Sequence, residues 1–311
     1  YWTHRDEYIE REWKYLKRAW EQGLLGEGYY VVAYCPYCQT SLSNAEVGLG
    51  YEVVEDPSVY FKLKVRGTDD EYLVAWTTMP FTLVTDMLVA VNPDAEYAKV
   101  DVGGEVWIMA SNRVEAVMAE AGVEKYRIVE TMPGRDLEGL GYEYPFLDMV
   151  PKQAELESQS PLVHTVVCED FVDVETGTGV VHLSPGNGEE DFRVAARLGL
   201  PVYVPFDDSC VFTEEAGKFA GLFARDADDV VVEELRRRGL LVKHGRVVHE
   251  YPTCWRSHHK LIWIARREYF IWVDRIRDRV VKAAESVEYF YDQGRHRFLS
   301  FISEGKPWCI S

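Results

Sequence analysis

The chain has 311 residues, 47% of them hydrophobic, and this composition allows a sizeable core in one large domain or two ordinary ones. Its formal net charge of −18 excludes broad electrostatic binding of nucleic acid, because phosphate contacts depend on lysine and arginine. No apolar run approaches the roughly 20 residues that span a bilayer, and no signal-peptide pattern opens the sequence, so we expect a cytoplasmic protein that does not bind membranes.

The predicted elements begin with a helix and continue with strands. Thr3 is the predicted N-cap of the helix, and Ile9, Trp13 and Leu16 recur at helical spacing until Gly23 interrupts the pattern. After a cysteine-bearing turn the sequence changes to short alternating runs, which are typical of strands. These strand candidates are VYFKLKV, EYLVAWT, DMLVAV, EYAKVDV, GEVWIMA and TGVVHL. Further helices are predicted near residues 111–121, 226–238 and 275–287.

Turn residues separate the strand candidates, and only a few helices lie among them. The predicted fold class is therefore α/β, with a strand-rich, barrel-like domain inserted between flanking α/β segments. We divide the chain into a flanking segment with a helix and a CxxC knuckle (residues 1–50), the inserted domain (residues 51–248) and a return segment (residues 249–311).

Three cysteines are candidates for a metal site. Cys35 and Cys38 have the two-residue spacing that lets two thiolates reach one tetrahedral zinc ion. The second half of such a site would come from Cys254 and His258, because Ser257 stands where a fourth cysteine is expected. The sequence thus predicts a structural zinc that joins the two flanks, and reduced thiols without metal are the alternative.

The stretch WTTMPFTL ends a strand candidate with consecutive hydroxyl groups. Neighbouring threonines on a strand point to opposite faces, but a turn at Pro80 breaks this alternation. We expect the turn to bring Thr77, Thr78 and Thr82 around one small cavity. The alternative is that threonine is present simply because it forms strands well.

The stretch GTGVVHLSPGNGEEDF places a histidine and three acids on either side of a glycine turn. It lacks the glycine spacing of a dinucleotide fingerprint and the Gly-Lys-Ser/Thr of a P-loop, and acids at a helix start suit a cation better than a phosphate. A strand end, a turn and a helix start can present His182 and one carboxylate to a single pocket. The alternatives are a satisfied core histidine and acids that complement the helix dipole.

Five stretches in this order resemble the isoleucyl-tRNA synthetases, and the resemblance covers essentially all 311 residues. They are VVAYCPYCQTSLSNAEVGLGYEVVEDPSVYFKL, WTTMPFTL, GTGVVHLSPGNGEEDF, HEYPTCWR and WCIS. The resemblance implies the connective-peptide editing domain with its flanks from the catalytic module. The ATP-binding signatures of the family fall outside this stretch, so ATP and magnesium are expected only for the full enzyme.

The resemblance also assigns roles to individual residues. Asp191 corresponds to the aspartate that binds the α-ammonium group of the misplaced amino acid, and His182 to the pocket histidine. Thr77 and Thr78 correspond to the threonines that meet the terminal adenosine and the aminoacyl group. The other expected substrate-binding positions are Trp76, Met79, Phe81, Thr82, Asp86, Gly186 and Gly188. The family usually has threonine at position 79, tryptophan at position 81 and asparagine at position 86.

The implied function is hydrolysis of valine from mischarged tRNA(Ile) by a positioned water, in an enzyme that joins isoleucine to tRNA(Ile) with ATP. This family is the standard example of the need for editing, because one missing methylene gives only about 150-fold discrimination. The expected partners are the tRNA acceptor end and valine, and we expect a monomer. The alternatives are a valyl- or leucyl-type editing domain, which typically has arginine where Met79 stands, and a non-catalytic, zinc-stabilised tRNA-docking module.

Overall fold

A computed structural model describes residues 2–311 of the chain. The chain forms two compact units, of which one contains the residues up to Tyr30 together with Arg266–Ser311 and the other contains Val31–Ala265. The segment predicted as an inserted domain, residues 51–248, lies within the second unit. No helix among residues 2–311 is both long enough and apolar enough to cross a membrane.

The described residues contain helices and strands in a mixed order along the chain. The helices are α1 (Asp6–Glu21), α2 (Asn44–Val47), α3 (Val114–Ala121), α4 (Pro151–Gln159), α5 (Glu189–Leu198), α6 (Ala227–Arg237), α7 (Arg277–Glu285) and α8 (Asp292–Glu304). Short 3-10 helices cover Pro80–Thr85, Ser111–Arg113, Gly134–Leu137, Glu214–Phe219, Ala224–Asp226 and Val273–Ile276.

The strands are numbered in the same way. They are β1 (Leu25–Cys35), β2 (Thr40–Leu42), β3 (Tyr51–Lys64), β4 (Glu71–Thr77), β5 (Leu88–Val91), β6 (Glu96–Val102), β7 (Glu105–Ala110), β8 (Arg127–Pro133), β9 (Thr165–Cys168), β10 (Val180–Leu183), β11 (Leu241–Pro252), β12 (Ile262–Ile271) and β13 (Trp308–Cys309).

In the first unit, α1 starts later than the sequence predicts. The helix begins at Asp6, and Arg5 is an N-cap without a side-chain hydrogen bond, so the prediction of Thr3 as the cap is wrong. The helix has no buried residue, and Trp13 and Trp20 are exposed. The unit also contains α7 and α8, and β12 pairs antiparallel with β13. The helix predicted near residues 275–287 is confirmed as α7.

The second unit is built mainly on two open sheets, and within it β1 also pairs antiparallel with β2. The larger has six strands in the order β11-β3-β4-β7-β6-β8, and the smaller has the order β10-β5-β9. In the larger sheet β4 and β7 are parallel, and in the smaller one β5 and β9 are parallel. The α/β class is confirmed. Within residues 2–311 no sheet closes on itself, so the strand-rich part of the fold consists of open sheets rather than a closed barrel.

The main apolar core of this unit lies against the inward faces of both sheets. The alternating run in β3 points Phe61 and Leu63 into the core, where each side chain is at most 1% exposed. The strand β5 is buried along its whole length, as expected for the central strand of a sheet. A second apolar cluster includes Val74, Trp107 and Val117, so α3 packs on the other face of the larger sheet.

Candidate active site

The site is assembled by the segments that follow β4 and β10. Strand β4 ends at Thr77, a short 3-10 helix runs over Pro80–Thr85, and β5 begins at Leu88. Proline suits the first helical position because it has no N–H to leave unsatisfied. Strand β10 pairs antiparallel with β5, with His182 opposite Val89, so the end of β10 lies beside the 3-10 helix.

The hydroxyl groups of the WTTMPFTL stretch lie at different depths. Thr77 is buried, and its Oγ1 accepts a hydrogen bond of 3.1 Å from the N–H of Met79. Thr82 is 4% exposed, and its Oγ1 donates to the carbonyl of Met79 at 2.8 Å. Thr78 and Met79 are half-buried. In this turn the hydroxyls of Thr77 and Thr82 both form hydrogen bonds with the backbone of Met79. Thr78 is the most accessible of the three threonines.

A buried chain of polar groups runs behind this turn. Thr82 Oγ1 is 3.1 Å from His182 Nε2, and His182 Nδ1 is 3.3 Å from Asp86 Oδ1. The hydroxyl of Tyr142 donates to Asp86 Oδ2 at 2.5 Å. Asp86 and Tyr142 are both fully buried, and burial together with the Asp86 carboxylate raises the pKa of Tyr142 well above its usual value. Asp86, which the resemblance makes a substrate-binding residue, uses both of its oxygens inside the protein.

Asp191 lies at the third position of α5, three residues after the N-cap Gly188. Its Oδ2 accepts a hydrogen bond of 2.7 Å from the N–H of Ser184 in the preceding turn, and the residue is half-buried. Burial of the carboxyl group raises its pKa to about 6, although the N–H of Ser184 and the His182 ring act in the opposite direction. A carboxylate held in this way can accept a small cation.

The two glycines of the turn are required for space. A Cβ on Gly188 would lie 2.4 to 2.6 Å from the carboxyl group of Asp191, and a Cβ on Gly186 would lie 2.6 Å from the carbonyl oxygen of Tyr203. Neither glycine has a positive φ. The structure therefore explains both residues by close packing, and Gly188 bears directly on the position of the Asp191 carboxylate.

A cluster of side chains that the sequence did not reveal ties the turn to the 3-10 helix. Thr85 Oγ1 lies 2.6 Å from Ser184 Oγ, and both hydroxyls lie 3.1 Å from Asn187 Oδ1. The amide of Asn187 also donates to the carbonyl of Trp263 at 2.9 Å. All three clustered residues are buried, so these bonds fix the turn that leads to Asp191. Nothing in the spacing of Thr85 and Asn187, which are 102 residues apart, could have predicted the contact.

The two aromatic residues expected at the site, Phe81 and Trp76, have partners inside the protein. Phe81 is 1% exposed, and its N–H donates to Asp228 Oδ1 at 2.8 Å. Burial raises the pKa of Asp228 to about 7, while Arg225 acts in the opposite direction. The indole N–H of Trp76 donates to the hydroxyl of Ser58 at 2.9 Å.

The three cysteines predicted to bind metal converge. The sulfur atoms of Cys35, Cys38 and Cys254 all lie within 4.8 Å of one another. Ser257 Oγ is 3.3 Å from Cys35 Sγ, whereas the His258 side chain is 73% exposed with Nδ1 3.1 Å from Glu52 Oε1. The structure thus places His258 outside the cluster, since its exposed ring faces Glu52. The sequence distance alone could not distinguish Ser257 from His258.

The chemistry of this donor set suits zinc. Three thiols whose sulfur atoms lie this close together are typical ligands of a structural zinc ion. Burial raises the pKa of the Cys35 thiol. Burial also acts to raise the pKa of Cys254, but hydrogen bonds from Ser257 and the neighbouring backbone lower it to about 7, which favours the thiolate that binds a metal.

Comparisons with known proteins identify the family. The family model for tRNA synthetases class I (I, L, M and V) matches residues 1–311. The chain is 42% identical over 316 residues to the isoleucine–tRNA ligase of Pyrococcus abyssi and 43% identical to that of Thermococcus kodakarensis, covering 100% of this chain and 29% of each relative. The cytosolic leucyl-tRNA synthetase editing domain of P. falciparum aligns with a TM-score of 0.44 at 8% identity, over 62% of this chain and 99% of that one.

Proposed function

Because the chain belongs to the class I tRNA synthetases of the I, L, M and V group, we propose that it contains the editing site of an isoleucyl-type member. The reaction is hydrolysis of valine from mischarged tRNA(Ile). The observation that carries this proposal is the carboxylate of the half-buried residue Asp191, which the N–H of Ser184 holds at the end of the turn. The α-ammonium group of an aminoacyl ester is the small cation that such a carboxylate binds.

Water is the proposed nucleophile. Its oxygen bonds to the ester carbonyl carbon, the bond from this carbon to the ribose oxygen breaks, and the proton that the water loses ends on that ribose oxygen. Ser184 is not a candidate nucleophile, because its hydroxyl forms hydrogen bonds with Thr85 and Asn187 rather than with a general base. Catalysis then depends on orientation, in which Asp191 fixes the ammonium group and Thr77 and Thr78 hold the sugar and ester end.

The substrate class follows from the limits of size discrimination. A synthetic site that accepts isoleucine cannot strongly exclude valine, which is one methylene smaller, so a second site that admits valine and excludes isoleucine removes the error. Met79 stands after the paired threonines, where valyl- and leucyl-type domains typically have arginine, and this supports the isoleucyl assignment.

The chain spans about 29% of the length of the isoleucine–tRNA ligases it matches. For the longer protein we propose ligation of isoleucine to tRNA(Ile) with ATP and magnesium. The proposed partner is the acceptor end of tRNA(Ile), bound by a monomer in the cytoplasm.

A structural zinc ion is part of the proposal. Cys35, Cys38 and Cys254 would hold it, and its role is to join the turn after β1 to the end of β11. Metal analysis of the purified chain tests this. We expect about one zinc ion per chain in the wild type and in His258→Gln, and loss of the metal in Cys254→Ser. Loss of zinc in His258→Gln would instead show that His258 is a zinc ligand.

The test of the editing function is deacylation of valyl-tRNA(Ile) by the chain. We expect Asp191→Ala to lose most of the activity, because the ammonium group loses its partner, and the neighbouring exposed Glu190→Gln to retain it. Hydrolysis by Asp191→Ala at the wild-type rate would refute the assignment of Asp191. Binding of tRNA without deacylation of any mischarged species would favour the docking module.

A further inference from the structure

Both ring nitrogens of His182 are engaged inside the protein. Nδ1 lies 3.3 Å from Asp86 Oδ1, and Nε2 lies 3.1 Å from Thr82 Oγ1. His182 is 8% exposed and Thr82 4% exposed. Neither nitrogen is left free to bind a water molecule, so His182 can influence a bound ester only through the hydroxyl group of Thr82.

The proton on this ring can be assigned by counting donors. The Tyr142 hydroxyl is fully buried, and among residues 2–311 its one hydrogen-bond partner is Asp86 Oδ2, so Tyr142 donates. As a carboxylate, Asp86 carries no hydrogen and accepts at Oδ1 as well. His182 therefore donates from Nδ1, and in the neutral ring Nε2 is left as an acceptor.

Thr82 has one hydroxyl hydrogen and two possible acceptors. These are His182 Nε2 and the carbonyl of Met79, and the carbonyl also accepts the N–H of Thr82 at 3.1 Å. The carbonyl thus keeps a hydrogen bond when the hydroxyl turns toward His182. In that orientation the lone pairs of the Thr82 oxygen can accept a hydrogen bond from water or substrate.

We propose that Tyr142 and Asp86 are positioning residues that fix the proton of His182 on Nδ1. The hydroxyl of Thr82 then donates to Nε2, and its oxygen is the group through which the ring acts on the reaction. This inference rests on the proposed deacylation for its catalytic meaning, but the position of the proton can be measured independently of any activity.

An asparagine at position 86 makes the donor count testable. In Asp86→Asn the Tyr142 hydroxyl still needs an acceptor and takes Oδ1, so the amide NH₂ faces His182. Nδ1 must then become an acceptor, and the proton moves to Nε2. The opposite amide orientation would leave the buried hydroxyl hydrogen of Tyr142 without an acceptor, which is disfavoured.

Removal of the Tyr142 hydroxyl from the same variant reverses the effect. In Asp86→Asn/Tyr142→Phe no phenol competes for Oδ1, so the amide can turn Oδ1 toward His182 and the proton returns to Nδ1.

Two-bond ¹H–¹⁵N spectra of the full chain with labelled histidine distinguish the tautomers, and His182→Gln assigns the signal. The spectra are recorded about two pH units above the histidine reference pKa of roughly 6.5, so that neutral tautomers can be compared.

We expect the Nδ1–H tautomer in the wild type, Nε2–H in Asp86→Asn, and Nδ1–H again in the double variant. Persistence of Nδ1–H in Asp86→Asn would overturn the proposal, as would Nε2–H in the double variant. Thr82→Val gives a further test that leaves the Asp86 pair intact. It should keep Nδ1–H, and a change to Nε2–H would show that Thr82 sets the tautomer.

Deacylation of valyl-tRNA(Ile) supplies the second measurement. Because the hydroxyl of Thr82 is the group through which the ring acts, we expect Thr82→Val to lose about tenfold or more in kcat and Thr82→Ser, which keeps the hydroxyl, to stay near the wild-type rate. Wild-type activity in Thr82→Val would overturn the catalytic part of the proposal. Failure of the wild type to deacylate at all would overturn the proposed function instead and leave the tautomer pattern as it is.

Discussion

Substitution of Gly188 by alanine should displace the carboxylate of Asp191 without a change of charge. The new Cβ would lie 2.4 Å from the carboxyl carbon and 2.5 and 2.6 Å from the two oxygens, and real Cβ atoms essentially never come within 3.0 Å of another group. The carboxyl group therefore has to move by about 0.5 Å or more. The backbone can accept alanine here, because φ at Gly188 is −121°.

The expected cost to catalysis follows from this displacement. A misplacement of about 1 Å at a reacting group can reduce a rate about 10²-fold, so we expect kcat/KM for valyl-tRNA(Ile) to fall roughly 10- to 100-fold. The larger value corresponds to about 2.7 kcal/mol of transition-state free energy. The free energy of unfolding should fall by no more than about 3 kcal/mol, the upper value for one hydrogen bond to a charged group.

The matched control is Gly245→Ala. Gly245 lies in β11, and the nearest atom to its added Cβ would be the carbonyl oxygen of Ser58 at 4.0 Å. This variant should deacylate at the wild-type rate. If Gly188→Ala also deacylates valyl-tRNA(Ile) at the wild-type rate, then the position of the Asp191 carboxylate does not control the reaction, and the argument from its geometry is refuted.

Three further predictions concern ionisation, buried hydrogen bonds and metal. The raised pKa of Asp191, about 6, means that the folded protein holds this proton more tightly than the unfolded chain, so its contribution to stability declines as pH rises from about 4 to 6. Asp191→Asn should therefore raise the free energy of unfolding in urea by about 1–2 kcal/mol at pH 7.5 and change it little at pH 4, and an equal effect at both pH values would contradict this. Thr85→Val should lower the free energy of unfolding by about 1–3 kcal/mol, because Ser184 and Asn187 lose a buried hydrogen-bond partner. An unchanged urea midpoint would show that the cluster does not contribute to stability. Chelation of zinc should lower the Tm of the wild type in calorimetry and leave that of Cys254→Ser unchanged, and equal shifts would exclude Cys254 as a ligand.

The parts of the fold that depend on local patterns could be predicted from the sequence. The alternation in β3 and the periodicity of α6 are set by which face a side chain presents, and both elements lie where the pattern indicates. The closure of the sheets could not be predicted, because it depends on strand pairings between distant segments. The N-cap of α1 was mispredicted for a different reason: at Arg5 no side chain accepts the backbone hydrogen bonds by which a cap is recognised in a sequence.

The candidate site was predictable in its residues and unpredictable in its connections. Residue types and order pointed to Asp191, His182 and the threonines, and the structure brings His182 and Thr82 into contact. Tyr142 was missed because it lies 56 residues from Asp86 and looks like any core tyrosine in the sequence. Tertiary packing determines the hydrogen-bond partners of buried groups, and local sequence patterns do not predict it.

The pairing of β3 with β11 has a consequence for how the family can vary in length. Tyr51 is the register partner of Pro252, and Phe61 that of Leu241. The separation of residues 51 and 252 is therefore one interstrand spacing of about 5 Å, whatever number of residues lies between the two strands. Insertions in the flexible loops of that stretch leave this spacing unchanged, and the closure entropy of such a loop costs only about 0.6 kcal/mol for each doubling in length. The segment between residues 51 and 252 can therefore change in length during evolution while the distance between these two residues stays the same.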